Sequence, residues 1–99
     1  MTRFILSYDL EKTKPDPHPE FLRQAEALGW SKWIKLADGK FNKLPNTTLH
    51  KSFENIEDAN KSYSDIVSKT KAALNATVNV EKVIIIEDSR SRSFSNEVK

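Results

Sequence analysis

Near its N-terminus the chain carries the segment Arg3-Phe4-Ile5-Leu6-Ser7-Tyr8-Asp9-Leu10, whose side chains alternate with the period of a β-strand. The alternation predicts one face made of Phe4, Leu6, Tyr8 and Leu10 and a second face made of Ile5, Ser7 and Asp9. Helical patterns follow this strand, and two layers need a shared sheet on which to pack. We therefore expect a central strand that ends in an acidic residue.

The length of 99 residues and the composition bound the class of protein. They predict one domain with a single modest core. A net charge of +2 is too small to identify a nucleic-acid-binding protein by itself. The chain has no cysteine, which excludes disulfides, thiolate metal sites and a cysteine nucleophile. Neither a signal peptide nor a membrane-spanning run is recognisable, so we expect a cytoplasmic protein that makes no membrane contact.

Two helices are predicted on either side of a hairpin. The first begins with Pro19, whose missing N–H costs nothing at that position, and stops at Gly29. The second is capped by Asn55, carries a broad apolar stripe and ends at Asn75. The first helix, with about ten residues, has an ordinary globular length.

Between the helices, a strand-like run from Trp30 to Leu36 leads to the hairpin signal Asp38-Gly39. The returning arm, residues 40–44, is interrupted at Pro45, and alternation resumes over residues 47–53. This pattern fits one long kinked arm or two successive short strands.

The final predicted strand runs from Val78 to Ile86, and its Val83–Ile86 segment is apolar on both faces, which indicates burial in the middle of a sheet. Residues 88–99 are polar and form a tail or an edge strand, which leaves residues 1–87 as the domain. The element order predicts an α+β, ferredoxin-like split βαβ fold (βαββαβ). In it, the first and last strands are central in an antiparallel sheet, two helices cover one face, and the central hairpin is extended. The open face is expected to be partly exposed or to meet a partner subunit.

The strand ending Ser7-Tyr8-Asp9-Leu10, the helix after it, and a later strand running into Lys51-Ser52-Phe53-Glu54 together resemble a known group. The group comprises the small CRISPR-associated adaptation subunit, virulence-associated protein D and SinR-like proteins. The resemblance implies a ferredoxin-like homodimer and, as in several members, a metal-dependent nuclease. It also implies that Asp9 from both protomers is the catalytic residue and the metal ligand, with Mg²⁺ or Mn²⁺ as the ion.

Considered chemically, Asp9 gives one carboxylate per chain, which is a poor Mg²⁺ site, whereas two-fold symmetry would double the number of ligands. The alternative is that Asp9 accepts hydrogen bonds from loop N–H groups at the end of the strand.

The central segment predicts a nucleic-acid surface. Lysines neutralise phosphates and aromatic rings stack on bases, so the combination suits RNA or DNA. The residues expected to take part are Lys32, Trp33, Lys35, Lys40, Phe41, Lys43, His50 and Lys51. Alternating lysines also protect an edge strand from aggregation, and the aromatic residues could instead fill a core or a dimer interface.

The leading prediction is a nucleic-acid-binding homodimer, for which the resemblance implies metal-dependent endonuclease activity on RNA or DNA. The alternative is a non-enzymatic protein-interaction or assembly module of the same fold.

Overall fold

The computed structural model describes residues 1–88 and shows a small α+β fold. The elements in order are β1 (Thr2–Leu10), α1 (His18–Ala27), β2 (Trp33–Lys35), β3 (Phe41–Lys43), β4 (Thr48–Phe53), α2 (Ile56–Leu74) and β5 (Val80–Asp88). Three strands form an antiparallel sheet in the order β4-β1-β5, and β2 pairs with β3 in a separate two-stranded hairpin. The predicted central position of the first strand is confirmed.

The two predicted faces of β1 are also confirmed. Its larger side chains, Phe4, Leu6, Tyr8 and Leu10, are at most 5 % exposed and belong to one buried cluster. That cluster includes Phe21 and Ala25 of α1, and Ala59 and Ile66 of α2. We call this side of the sheet the core face. The other side, the open face, carries Arg3, Ile5, Ser7 and Asp9, which are half-buried or exposed.

Local hydrogen bonds set the ends of both helices. The Pro17 carbonyl accepts from the Phe21 N–H at 2.8 Å, which closes the first turn of α1 and brings His18 into the helix. The predicted caps of α2 are present: Asn55 Oδ1 accepts from the Asp58 N–H at 2.8 Å, and Asn75 adopts a left-handed conformation with φ of 48°. Neither α1 nor α2 is long and apolar enough to cross a membrane.

The predicted hairpin forms around Asp38-Gly39, but each of its strands is only three residues long. The Leu36 N–H donates to the Lys40 carbonyl at 2.7 Å and closes the turn. Residues 44–47 separate β3 from β4, so the second of the two alternatives, successive short strands, is correct.

The expectation that the last strand is central and buried was wrong. Within residues 1–88, β5 has β1 as its one neighbour in the sheet, and Ile84 and Ile86 are 57 % and 48 % exposed. These side chains lie on the open face, which no element of the described chain covers, whereas Ile85 packs against the core. The strand runs to Asp88, one residue past the predicted end of the domain; the rest of the predicted tail lies outside the described residues.

Candidate functional site

The β2–β3 hairpin brings lysines and aromatic rings onto one surface. Trp33 lies opposite Lys43, and Lys35 lies opposite Phe41. Residues opposite each other in an antiparallel pair project to the same side. We call this four-residue surface, Trp33, Lys35, Phe41 and Lys43, the hairpin face. The alternate residues Ile34 and Asn42 point the other way and are 4 % and 6 % exposed, so the hairpin face is directed away from the protein interior.

The start of the hairpin is fixed to β4 by Ser31 and His50. Their backbones exchange two hydrogen bonds of 2.9 Å. Ser31 Oγ accepts from the Trp33 N–H and donates to the Trp33 carbonyl, both at 3.0 Å. His50 Nε2 lies 2.5 Å from the same carbonyl oxygen, and because a carbonyl only accepts, this nitrogen carries the proton. His50 therefore holds the Trp33 backbone in place and is not itself on the hairpin face.

A cavity of about 110 Å³ lies at the base of the hairpin. Lys32 and Lys43 line it together with Tyr8, Leu22 and residues 44–49, and none of these lining residues is acidic. Burial, with a smaller contribution from the charge of Glu26, raises the pKa of Tyr8 to about 12, so its phenol stays neutral near pH 7. Two ammonium groups beside neutral hydroxyl groups favour an anion such as a phosphate.

The charged side chains of the hairpin region, residues 30–53, are predominantly positive. Residues 30–53 contain one acidic residue, Asp38, whose carboxylate accepts from the Lys40 N–H at 2.9 Å and so stabilises the turn. Lys35 and Lys40 are exposed, while Lys32 and Lys43 are half-buried. These four lysines of the hairpin region supply a positive surface on which the aromatic rings lie.

Lys51 was predicted to belong to the nucleic-acid surface, but its side chain lies at the end of α1 and not with the hairpin lysines. Its ammonium donates a hydrogen bond to the Leu28 carbonyl at the end of α1 and lies 5.1 Å from the centre of the Phe53 ring. Carbonyls at a helix C-terminus carry partial negative charge, so an ammonium held there stabilises the helix end. Lys51 therefore acts within the fold and does not join the hairpin lysines.

We expect Lys51→Met to lower the free energy of unfolding by about 1 to 2 kcal/mol, because it removes a charge-assisted hydrogen bond and leaves the helix carbonyl unpaired. Urea unfolding followed by circular dichroism measures the change. Lys35→Met is the matched control, since Lys35 is exposed, and should change the stability by less than about 0.5 kcal/mol. Equal effects of the two substitutions would contradict the structural role.

Asp9 is exposed on the open face, and its cross-strand neighbour in β5 is Lys82. Both residues line a cavity of about 240 Å³ with Ser7, Tyr8, Val83 and Ile84. Within residues 1–88, no three His, Asp or Glu side chains are grouped so that they could hold a metal ion. The ammonium of Lys82 would also repel a cation at Asp9 and compete with it for the carboxylate. Residues 1–88 of one chain thus do not fit the predicted Mg²⁺ or Mn²⁺ site, and among them a metal at Asp9 would need ligands from a second chain.

An ion pair on the open face was missed by the sequence reasoning. Arg3 Nε donates to Asp88 Oδ2 at 2.7 Å and joins the ends of β1 and β5. A signal was present: Arg3 and Asp9 are separated by the same six positions as Lys82 and Asp88, and antiparallel pairing matches each acid with a base. The pairing of Ser31 with His50 has no comparable signal, because it joins two residues that are distant in the sequence.

The resemblance to the adaptation-subunit group rests on a few short motifs and stays a prediction. Asp9 is the penultimate residue of β1, and Phe53 is the last residue of β4. In comparisons with known proteins, no protein-family model, no curated protein and no solved structure matches this chain.

Proposed function

We propose that the chain is a ferredoxin-like, nucleic-acid-binding homodimer that contacts single-stranded RNA or DNA through the hairpin face. The observation that carries this proposal is the arrangement of two aromatic rings and two lysines on one outward surface. Each aromatic residue there has a lysine as its direct cross-strand neighbour.

The ferredoxin-like assignment is supported by the path of the chain through the sheet. The strands β4 and β5 flank β1, and α2 connects them, as in a split βαβ unit of a ferredoxin-like fold. On the far side of β4, the Ser31–His50 bridge occupies the place of a fourth strand. In this proposal that strand is reduced to a single bridge because the chain turns away at once into the hairpin.

The hairpin face suits a single strand better than a duplex. Trp33 and Phe41 are diagonal neighbours, about 7 to 8 Å apart at their backbones, so each ring can stack on a different base. Stacking requires bases that are free of a double helix. Lys35 and Lys43 occupy the other diagonal and can contact the phosphates between those bases. The cavity lined by Lys32 and Lys43 continues this path with room for one further phosphate.

The lysine contribution is tested by salt dependence. We expect Lys35→Ala/Lys43→Ala to reduce the slope of log K against log salt concentration by about 1.4, because each lysine that neutralises a single-strand phosphate contributes about 0.7. Fluorescence anisotropy with labelled single-stranded RNA and DNA at several salt concentrations gives the slopes. Lys61→Ala/Lys69→Ala removes the same charge from exposed positions of α2 and should leave the slope nearly unchanged.

Equal slopes for the two double variants would contradict binding at the hairpin face. Absence of binding to either nucleic acid at low salt would favour the alternative, a protein-interaction or assembly module of the same fold.

A second candidate function, metal-dependent hydrolysis of RNA or DNA, is supported by the exposed Asp9 carboxylate at the open-face cavity. It requires a dimer in which the two open faces meet, because the described part of one chain, residues 1–88, offers too few ligands. In that case, cleavage of labelled RNA or DNA with Mg²⁺ or Mn²⁺ should be lost in Asp9→Ala. Equal cleavage by the wild type and the variant would remove the catalytic role of Asp9.

A further inference from the structure

The outer edge of β5 is an exposed apolar segment. Of the six large apolar side chains that are exposed within residues 1–88, three lie in this strand: Val83, Ile84 and Ile86. Within the same residues, the backbone of β5 pairs with β1 alone. Proteins usually protect such edges with lysines, prolines or bulges, and the segment Val83–Ile86 contains none of these. The edge is therefore suited to pairing with another strand.

The charges at the two ends of the open face indicate which strand would pair with the outer edge of β5. The register places Arg3 opposite Asp88, Ile5 opposite Ile86, Ser7 opposite Ile84, and Asp9 opposite Lys82. We propose that β5 pairs antiparallel with β5 of a second copy of this chain, around a two-fold axis at Ile85, to form a continuous six-stranded sheet. This interface rests on, and deepens, the homodimer part of the proposed function.

In this register, Lys82 lies opposite the partner's Asp88. At each end of the open face, a row of four side chains then crosses four neighbouring strands. The row consists of Asp9, Lys82, the partner's Asp88 and the partner's Arg3, so the charge alternates in sign from strand to strand. Cross-strand pairs of opposite charge stabilise a sheet, and like charges destabilise it. Between the two charged rows, Ile84 lies opposite the partner's Ile86, and Ile5 of each chain extends the apolar centre.

Neighbouring registers lack this match. An axis at Ile84 would place Lys82 opposite the partner's Ile86, and an axis at Ile86 would place Ile84 opposite the partner's Asp88. A shift by one residue would oppose the core face of one chain to the open face of the other. The charge pattern thus selects the axis at Ile85.

The interface has a consequence for Asp9. Lys82 and Asp88 are six residues apart, so the two Asp9 side chains would be separated by about 20 Å along the strands alone. One metal ion cannot bridge them in this dimer. Hydrolysis at a metal held by both Asp9 carboxylates is therefore not expected in this dimer.

Charge reversal in two separate chains tests the interface. We expect the wild type to dimerise, and Lys82→Glu and Asp88→Lys each to raise the dimer dissociation constant at least about tenfold, because each homodimer would oppose like charges. An equimolar mixture should dimerise again. In the heterodimer, one row pairs the introduced carboxylate with the introduced ammonium, and the other row keeps the original pairing of Lys82 with Asp88. Analytical ultracentrifugation gives the dissociation constants, and native mass spectrometry separates heterodimers from homodimers.

A monomeric wild type would overturn the interface together with the homodimer part of the proposed function. Dimers that persist in both single variants, or a mixture that stays monomeric although both variants are folded, would overturn the interface alone. Nucleic-acid binding at the hairpin face is measured independently of these outcomes.

Cysteine cross-linking gives a second test that does not depend on charge. The chain has no cysteine, so Ile85→Cys introduces a single thiol. At the proposed axis it meets its own copy within disulfide range, and mild oxidation should yield a covalent dimer. Lys35→Cys on the hairpin face is the control and should remain largely monomeric. Equal cross-linking of the two variants would overturn the interface.

Discussion

Trp30→Ala is expected to lower the free energy of unfolding by about 3 to 5 kcal/mol, the range for loss of a large aromatic side chain from a core. Trp30 is 2 % exposed, and its ring centre lies 5.3 Å from that of Phe53. Its indole Nε1 donates to Ser62 Oγ of α2 at 2.9 Å, so the substitution also removes the link between the hairpin entrance and α2. A loss of this size is a large fraction of the stability of a small domain.

The matched control is Trp33→Ala, which removes the other tryptophan of the chain. Trp33 is half-buried on the hairpin face, so we expect a loss of only about 1 kcal/mol. Urea unfolding followed by circular dichroism compares the two variants. Similar losses would contradict the assignment of Trp30 to the core and Trp33 to the surface.

The sequence could predict those elements whose signals are local. The alternation in β1 requires one face to enter the core, and the structure buries Leu6 completely. The N-cap of α2 is equally local, because the Asn55 side chain accepts from the N–H of Asp58, three residues further on. Where the cause and the effect lie in the same few residues, sequence reasoning was sufficient.

Burial in the last strand could not be predicted in this way. An apolar run such as Val83–Ile86 indicates a strand that is covered on both faces. The same run can also occur in a strand at the edge of a sheet, so the sequence pattern does not distinguish the two positions. The difference lies in what packs on the open face, and no local pattern encodes it. If the proposed β5 pairing is correct, the apolar run reflects burial between two chains.

The candidate site was predicted as a set of residue types but not as a surface. Lysines and aromatic residues cluster in the sequence, yet only the register of the hairpin puts Trp33, Lys35, Phe41 and Lys43 on one face. Lys51 belongs to the same cluster in the sequence, but its partner is the Leu28 carbonyl, 23 positions away. Long side chains reach partners that sequence spacing does not reveal.

The largest effect on binding is expected from the double variant Trp33→Ala/Phe41→Ala. Stacking of a base on an aromatic side chain contributes about 1 to 3 kcal/mol, so loss of both rings should weaken binding of single-stranded RNA or DNA at least about 30-fold. The positive charge is unchanged, and the slope of log K against log salt concentration should therefore remain that of the wild type. This pattern is the converse of the one expected for Lys35→Ala/Lys43→Ala.

The fold of this double variant can be checked with the same sample. Trp30 is then the one tryptophan left in the chain, and because it is buried, its fluorescence reports the integrity of the core. Ile56→Ala is the matched control for loss of an exposed apolar side chain, since Ile56 is 42 % exposed at the start of α2. Anisotropy titrations should show wild-type affinity for this control. Affinity that is unchanged in the aromatic double variant, with native Trp30 fluorescence, would mean that the hairpin face is not a stacking surface.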